Sequence, residues 1–111
     1  MVKELNDTGV EERVLESEGV VAVAFLDFGS IPCDHFRPEL DAVADMLEGK
    51  IEFYKLDVTE NPTITDELGV QAVPTLLVFR DGEEIGRYEG PYSREALNDR
   101  LTQLLAGKKS A

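Results

Sequence analysis

The apolar run Val20–Leu26 restricts the possible folds of this chain more than any other segment. The run has seven residues, the length of a β-strand, and no polar residue lies on either face. A strand with one solvated face alternates apolar and polar residues, so an unbroken run is typical of a central strand covered on both sides. We therefore expect a sheet with helices packed against both of its faces.

Segments with a helical or a strand pattern alternate along the rest of the chain. Before the central run we expect a short edge strand over residues 2–5 and an amphipathic helix over 10–17. After it we expect helices over 33–47, with a kink at Pro38, over 63–68 and after Ser93, and strands over 51–58, 74–80 and 83–89. Crossover helices require parallel pairing, whereas the Asp81-Gly82 turn predicts an antiparallel hairpin. The prediction is an α/β fold with a mixed central sheet of about five strands flanked by about four helices.

The length and charge of the chain limit its organisation and its partners. Its 111 residues fit one domain, which we expect to span 1–106, followed by a flexible C-terminal tail over 107–111. Lys and Arg number 11 against 23 Asp and Glu, and the net charge of −12 argues against nucleic acid and anionic membranes as partners. No apolar run approaches the roughly 18 residues that span a bilayer, and no signal segment is visible, so we expect a cytoplasmic protein.

Cys33 is the only cysteine, so neither an intramolecular disulfide nor a cysteine-rich zinc site can form within this chain. It ends the segment Ser30-Ile31-Pro32-Cys33, which lies between the central strand and the start of a predicted helix. The N–H groups and the dipole at a helix N-terminus favour a thiolate, which makes this segment the first candidate for chemistry. We expect no metal site, because Cys33 and His35 alone supply too few ligands and the acidic residues match no calcium loop.

Several further motifs complete a pattern that resembles the thioredoxin family over nearly the whole chain. The matching segments are Val23-Ala-Phe25, Ile31-Pro32-Cys33, Pro38, Tyr54-Lys-Leu-Asp57, Glu60-Asn-Pro62, Gly69-Val-Gln-Ala-Val-Pro-Thr-Leu76, Phe79-Arg-Asp-Gly-Glu83 and the turn at Gly90. An x-Pro-Cys motif alone has little specificity. Its combination with a Val-Pro-Thr-Leu strand start about 40 residues later and a Phe-x-x-Gly hairpin is specific. The resemblance implies the thioredoxin fold.

The resemblance also implies thiol–disulfide exchange on protein disulfides, performed by a Cys-x-x-Cys pair without a cofactor. Cys33 matches the resolving cysteine of that pair, and Ser30 stands at the position of the attacking cysteine. A hydroxyl cannot form a disulfide, so we expect the two-thiol cycle to be disabled, and whether this chain is an enzyme stays open. Ser30 is either an engineered replacement of a cysteine or the residue of a branch that lost the pair.

Other positions near the motif also depart from the family pattern. Gly29 and Leu26 stand where the family has tryptophans, and Ala24 stands where it has a buried acid that helps to deprotonate the second cysteine. Lys55 matches a lysine that lies near this acid in the family. With Ala24 in place of the acid, we expect Lys55 to be solvated or paired elsewhere.

A surface that binds protein segments is a further implication of the resemblance. Pro74 matches the family's cis-proline, which holds the backbone of Val73 beside the cysteine motif and open to strand addition. A proline that merely starts a strand is the alternative. The expected surface takes disulfide-containing or extended cysteine-bearing segments and consists of Gly29, Ser30, Ile31, Pro32, Val73, Pro74 and Gly90. An enzyme similar to thioredoxin reductase would be a partner of the two-cysteine form.

Two other functions remain open at this point. The chain is a redox-inactive binding module if the cysteine pair was lost naturally. It is a one-cysteine enzyme if it resembles thiol peroxidases, which carry Thr or Ser three residues before the reactive cysteine, as Ser30 precedes Cys33. Those enzymes carry an upstream proline that is absent here, where Leu26 stands. We expect a monomer, although one unpaired cysteine permits a dimer linked through Cys33.

Overall fold

A mixed sheet of five strands forms the centre of the computed structural model, which describes residues 2–107. The strands are β1 (Val2–Glu4), β2 (Val20–Leu26), β3 (Glu52–Asp57), β4 (Thr75–Arg80) and β5 (Glu83–Glu89). The α-helices are α1 (Asp7–Val10), α2 (Ile31–Met46), α3 (Pro62–Glu67) and α4 (Arg94–Leu105), and α1 continues as a π-helical turn, Glu11–Leu15. The strand order is β1-β3-β2-β4-β5, with β1 and β2 parallel to β3, and β4 antiparallel to β2 and β5. The predicted α/β fold is confirmed.

Strand β2 lies at the middle of the sheet and is buried on both faces. One face contributes Ala22, Ala24 and Leu26 to a core cluster that also contains residues of α2 and α4. The other face contributes Val21, Val23 and Phe25 to a second cluster with residues of α1 and α3. The prediction from the unbroken apolar run is therefore confirmed, because each face of β2 has its own helical layer.

The predicted starts of two helices are late by two or three residues, because side-chain caps begin the helices earlier. The Asn6 side chain accepts a hydrogen bond from the Gly9 N–H at 3.1 Å, so α1 begins at Asp7. The Ser30 hydroxyl accepts from the Cys33 N–H at 3.3 Å, so α2 begins at Ile31 and contains Cys33 in its first turn.

The described part of the chain ends shortly after helix α4. Helix α4 is capped by Ser93, whose hydroxyl accepts from the Ala96 N–H at 3.2 Å, and it ends at Leu105. Of the predicted tail over 107–111, only Gly107 belongs to the described residues, so the division into a domain over 1–106 and a tail stays a prediction. None of the helices within residues 2–107 combines the length and the apolar character that a bilayer crossing needs.

Candidate functional site

Three segments of the chain meet where β2 ends. Phe25 near the end of β2 pairs with Thr75 at the start of β4, so the residues just before β4 lie beside those that follow β2. The Gly90 N–H donates to the Pro74 carbonyl oxygen at 2.9 Å, which joins the end of β5 to the same place. The Val73–Pro74 peptide bond is cis. The register thus brings the Ser30–Cys33 turn, Val73–Pro74 and Gly90 to one end of the sheet.

Ser30 is held in place by the first turn of α2. Its N–H donates to the Asp27 carbonyl oxygen at 3.0 Å, and its own carbonyl oxygen accepts from the Asp34 N–H at 3.0 Å. The hydroxyl accepts from the Cys33 N–H, which would otherwise be one of the unpaired donors at the helix start. The oxygen at the position of the attacking sulfur therefore serves as a helix cap, and the side chain is only half-buried.

Cys33 lies beneath Ser30 with none of its surface exposed. Its Sγ accepts a hydrogen bond from the Asp27 N–H at 3.3 Å, and the side chain packs in the core cluster with Leu26 and Phe36. A thiol without solvent contact cannot meet a peroxide or an alkylating reagent while the fold is closed. This burial suits the resolving position of an exchange pair and argues against a peroxidatic role.

The predicted surface residues differ in how much they expose. Ile31 exposes 70% of its surface, more than the other large hydrophobic residues within the described part of the chain. Gly29 and Pro32 are also exposed, whereas Val73 and Gly90 are half-buried. Pro74 is buried, so it positions Val73 and offers little surface of its own.

The backbone of Val73 has unused hydrogen-bonding groups. Within residues 2–107 neither its N–H nor its carbonyl oxygen makes a hydrogen bond, because the pairing of β2 with β4 begins only at Thr75. Its neighbours are engaged, since the Ala72 carbonyl oxygen accepts from the Thr75 hydroxyl at 2.6 Å. A donor and an acceptor on one residue beside an exposed isoleucine are what an extended segment needs in order to pair.

Two cations lie beside the site around the Phe28 ring, an arrangement that the sequence pattern did not predict. Lys55 pairs in register with Ala24, and its Nζ lies 5.9 Å from the Phe28 ring centroid. Arg37 lies one helical turn after Cys33, with Cζ at 4.3 Å from the same centroid. The spacing of four residues from Cys33 places Arg37 on the same helix face, but it could not show which ring it would meet.

Among the described residues, neither a metal site nor either of two surface clefts lies at the Ser30–Cys33 turn. His35 is exposed, and no group of three or more His, Cys, Asp or Glu side chains within residues 2–107 is arranged to hold a metal ion. A cleft of about 450 Å³ contains Lys3, Gly19 and Glu48 among its lining residues, and one of about 660 Å³ contains Pro62 and Val70. Neither cleft contains a residue of the Ser30–Cys33 turn.

Comparison with known proteins identifies the family to which this chain belongs. A family model described as Thioredoxin matches residues 1–103. The chain belongs to the thioredoxin family. Among curated members, thioredoxin of Rickettsia felis is 31% identical over 99 residues, which cover 89% of this chain and 94% of that protein. Protein disulfide-isomerase A3 of Gallus gallus is 37% identical over 100 residues, 90% of this chain but only 20% of that protein. The chain thus spans about a fifth of this longer thioredoxin-family relative.

Membership of the thioredoxin family is consistent with the site at the end of β2. It supports a function of the thiol–disulfide oxidoreductase type, with proteins as interaction partners. The fold matches what the sequence resemblance implied. Position 30 carries a serine, and Cys33 is the only cysteine of the chain.

Proposed function

We propose that this thioredoxin-family domain binds extended segments of partner proteins and that Ser30 disables the disulfide exchange for which the scaffold is built. The observation that carries the proposal is the Ser30–Cys33 turn. Cys33 is fully buried and the Ser30 hydroxyl caps the helix at the Cys33 N–H, which supports the match of these two residues to an exchange pair with a hydroxyl in place of the attacking thiolate. The binding surface consists of Gly29, Ser30, Ile31, Pro32, Val73, Pro74 and Gly90.

The chemistry of exchange shows which step is missing. In a two-cysteine form, the thiolate at position 30 attacks one sulfur of a substrate disulfide, forms a mixed disulfide and releases the other sulfur as a thiolate. The Cys33 thiolate then attacks the sulfur at position 30, which forms the internal disulfide and releases the second substrate thiol. Ser30 removes the first step, and Cys33 cannot replace it because its sulfur is out of reach of a protein disulfide.

Binding of extended segments does not depend on the missing thiol. An incoming strand can pair with the unused N–H and carbonyl groups of Val73 and cover the exposed side chain of Ile31. Burying such an apolar side chain contributes about 1.5–3 kcal/mol, whereas the backbone pairs mainly set the orientation of the segment. The side chain of Ile31 therefore contributes most of the affinity for the bound segment, and the backbone of Val73 sets the position at which the segment pairs.

The substitution Ser30→Cys tests the proposal. We expect the variant to reduce insulin disulfides with dithiothreitol as electron donor, whereas the unmodified protein shows only the background rate. Ser30→Ala is the matched control, because it changes the same atom without adding a thiol, and it must stay at background. If the Ser30→Cys variant folds but does not reduce insulin, the proposal that the scaffold is built for disulfide exchange is wrong. If the unmodified protein reduces insulin, the proposal that Ser30 disables exchange is wrong.

The oligomeric state, the cellular location and the reductase partner of the domain belong to the same proposal. We propose a monomeric cytoplasmic protein, and a reductase similar to thioredoxin reductase serves only the two-cysteine form. The burial of Cys33 disfavours a dimer linked through its sulfur, as it disfavours a one-cysteine peroxidase. The redox-inactive binding module remains as a second candidate, and it differs from the first only in whether the Ser30→Cys variant recovers exchange.

A further inference from the structure

Two positively charged side chains converge on one aromatic ring beside the proposed binding surface. Arg37 lies with Cζ at 4.3 Å from the Phe28 centroid, within the distance at which a guanidinium is attracted to a ring face. Lys55 approaches the same ring with Nζ at 5.9 Å. Phe28 thus holds two cations near each other, two residues before Ser30 in the chain.

Neither cation has a carboxylate partner within residues 2–107, although Asp and Glu outnumber Lys and Arg by 23 to 11. Two other arginines are paired: Arg94 contacts Glu39 at 2.9 Å and Arg87 contacts Glu84 at 3.0 Å. The Nε and Nη2 atoms of Arg37 are shielded from solvent and have no acceptor among residues 2–107. Shielded guanidinium donors normally have acceptors, whereas the charge of Arg37 is balanced by no carboxylate among the described residues.

The position of the two cations relates them to the Ser30–Cys33 turn. Lys55 pairs with Ala24, whose side chain belongs to the α2 side of the sheet, so Lys55 lies on that side too. Strand β3 borders β2 on one side, and β4 with Val73 before it borders β2 on the other. A segment that pairs with Val73 must therefore extend from the β4 side across the turn to the β3 side in order to reach Lys55 and the ring of Phe28.

We propose that Arg37 and Lys55 select an acidic side chain, Asp or Glu, in the segment bound at this surface. The inference rests on the proposed binding function and adds the chemistry of the bound segment to it. The carboxylate neutralises the positive charges of Arg37 and Lys55, while Phe28 holds both cations in position. Arg37 and Lys55 are thus specificity residues, separate from the Ser30–Cys33 pair.

The net charge of the whole chain limits how many acidic residues the bound segment can carry. The net charge of −12 repels acidic runs at long range, but at physiological ionic strength the Debye length is only about 8 Å. Two cations in direct contact with one carboxylate therefore outweigh the distant acids, whereas every further acid outside their reach adds repulsion. The favoured segment carries a single acidic residue among neutral ones.

Fluorescence anisotropy with matched peptides tests this selection on the unmodified protein. The probes are fluorescein-labelled, cysteine-free, eight-residue neutral peptides in which one Glu is moved along the sequence, each with a Gln and a Lys counterpart. At the favoured position we expect the Glu peptide to bind about tenfold tighter than its Gln counterpart, and the Lys peptide to bind weakest. Equal affinities of Glu and Gln peptides at every position would overturn the selection.

Variants then assign the selection to the two cations. In Arg37→Met/Lys55→Met, which keeps the apolar stems, we expect Glu and Gln peptides to bind alike. Lys50→Met and Arg100→Met are the matched controls, since both residues are exposed and neither contacts Phe28, and they must preserve the preference. A preference that survives in the folded double variant also overturns the inference. If no peptide binds at all, the proposed binding function itself fails, whereas binding without preference leaves it standing.

Discussion

The hydroxyl of Ser30 has a structural role that a thiol performs less well. It accepts the Cys33 N–H at the start of α2, and Ser is among the best capping residues, with a contribution of about 0.5–2 kcal/mol over Ala. Serine at this position thus stabilises the start of α2 through its hydroxyl. The cap orients the first turn of α2 and keeps the Cys33 sulfur in the core.

Tyr88 carries a buried hydroxyl without a hydrogen-bond partner among the described residues. The substitution Tyr88→Phe removes this oxygen and leaves the ring in the core with Leu104 and Tyr92. We expect the free energy of unfolding to stay the same or rise by up to about 1 kcal/mol, because no bond is lost and an unsatisfied polar group is removed. Urea denaturation measures the difference.

Tyr54 provides the matched control for this prediction. Its hydroxyl donates to the Glu52 carboxylate at 2.6 Å, and burial together with Glu52 raises its pKa. Tyr54→Phe therefore loses a real bond and should lower the free energy of unfolding by about 1 kcal/mol. If Tyr88→Phe proves more destabilising than Tyr54→Phe, the hydroxyl of Tyr88 has a partner in solution and the prediction is wrong.

At the scale of elements, one buried amide joins the two helices that cover the second face of the sheet. The Asn61 Oδ1 accepts from the Asp7 N–H at 2.9 Å, and its Nδ2 donates to the Asp57 carbonyl oxygen at 2.9 Å. Asp7 in turn accepts from the Ile64 N–H at 3.2 Å. The start of α1, the end of β3 and the start of α3 are thus connected through polar groups, over 54 positions between Asn61 and Asp7.

The β4–β5 hairpin is packed tightly against the turn that follows α1. Gly82 has φ +82°, and a Cβ added to it would overlap the carbonyl oxygen of Leu15. The substitution Gly82→Ala therefore requires a left-handed alanine and also displaces backbone. We expect it to lower the free energy of unfolding by about 2 kcal/mol more than a left-handed alanine costs in open space.

Gly49 isolates the first of these two costs, the left-handed conformation of the alanine. It has φ +83°, nearly the same as Gly82, but an added Cβ meets nothing within 4 Å. Gly49→Ala should therefore cost only about 1–2 kcal/mol, the price of the left-handed conformation. Urea denaturation of both variants decides the matter, since equal losses would show that the hairpin and the Leu15 turn do not touch in solution.

At the scale of the whole molecule, stability in acid depends on how the two helices of the first core are tied together. The Glu39 carboxylate on α2 accepts from the backbone N–H and the guanidinium of Arg94 at the start of α4, each at 2.9 Å. The hydrogen bonds from the Arg94 side chain, followed by that from its backbone, lower the pKa of Glu39 below its ordinary value of 4.5. Its stabilising effect is therefore complete above pH 4.5 and is lost as the pH falls through the lowered folded-state value.

The substitution Glu39→Gln tests whether the stabilisation by Glu39 is lost as the pH falls. The Tm of the unmodified protein should exceed that of the variant at pH 7, and the difference should shrink below pH 4.5 as Glu39 takes up a proton. High salt should shrink it as well, because the pair is partly exposed. Thermal unfolding followed by circular dichroism measures both effects, with the exposed Glu48→Gln as control. A Tm difference that is the same at pH 3 and pH 7 contradicts the assignment to ionised Glu39.

Much of the fold was predictable from local pattern, because apolar periodicity and turn chemistry act over short stretches of chain. The unbroken run Val20–Leu26 predicted the central strand, and Asp81-Gly82 predicted the hairpin. The helix starts were less predictable, since the caps at Asn6 and Ser30 compete with other uses of the same side chains. The family resemblance, carried by Ile31-Pro32-Cys33 and the Val-Pro-Thr-Leu strand start, pointed to the site residues.

The sequence by itself determined the α/β class, the single cysteine with Ser30 three residues before it and the acidic charge of −12, because these depend on residue identity and short-range periodicity. Only the tertiary structure decided that Cys33 is fully buried, that the Val73 backbone groups have no hydrogen-bond partner among residues 2–107, and that Arg37 and Lys55 meet at Phe28. Burial and side-chain contact depend on which strands become neighbours, and β2, β3 and β4 are brought together across long stretches of chain. No local pattern encodes that juxtaposition, and the proposed specificity for an acidic segment depends on it.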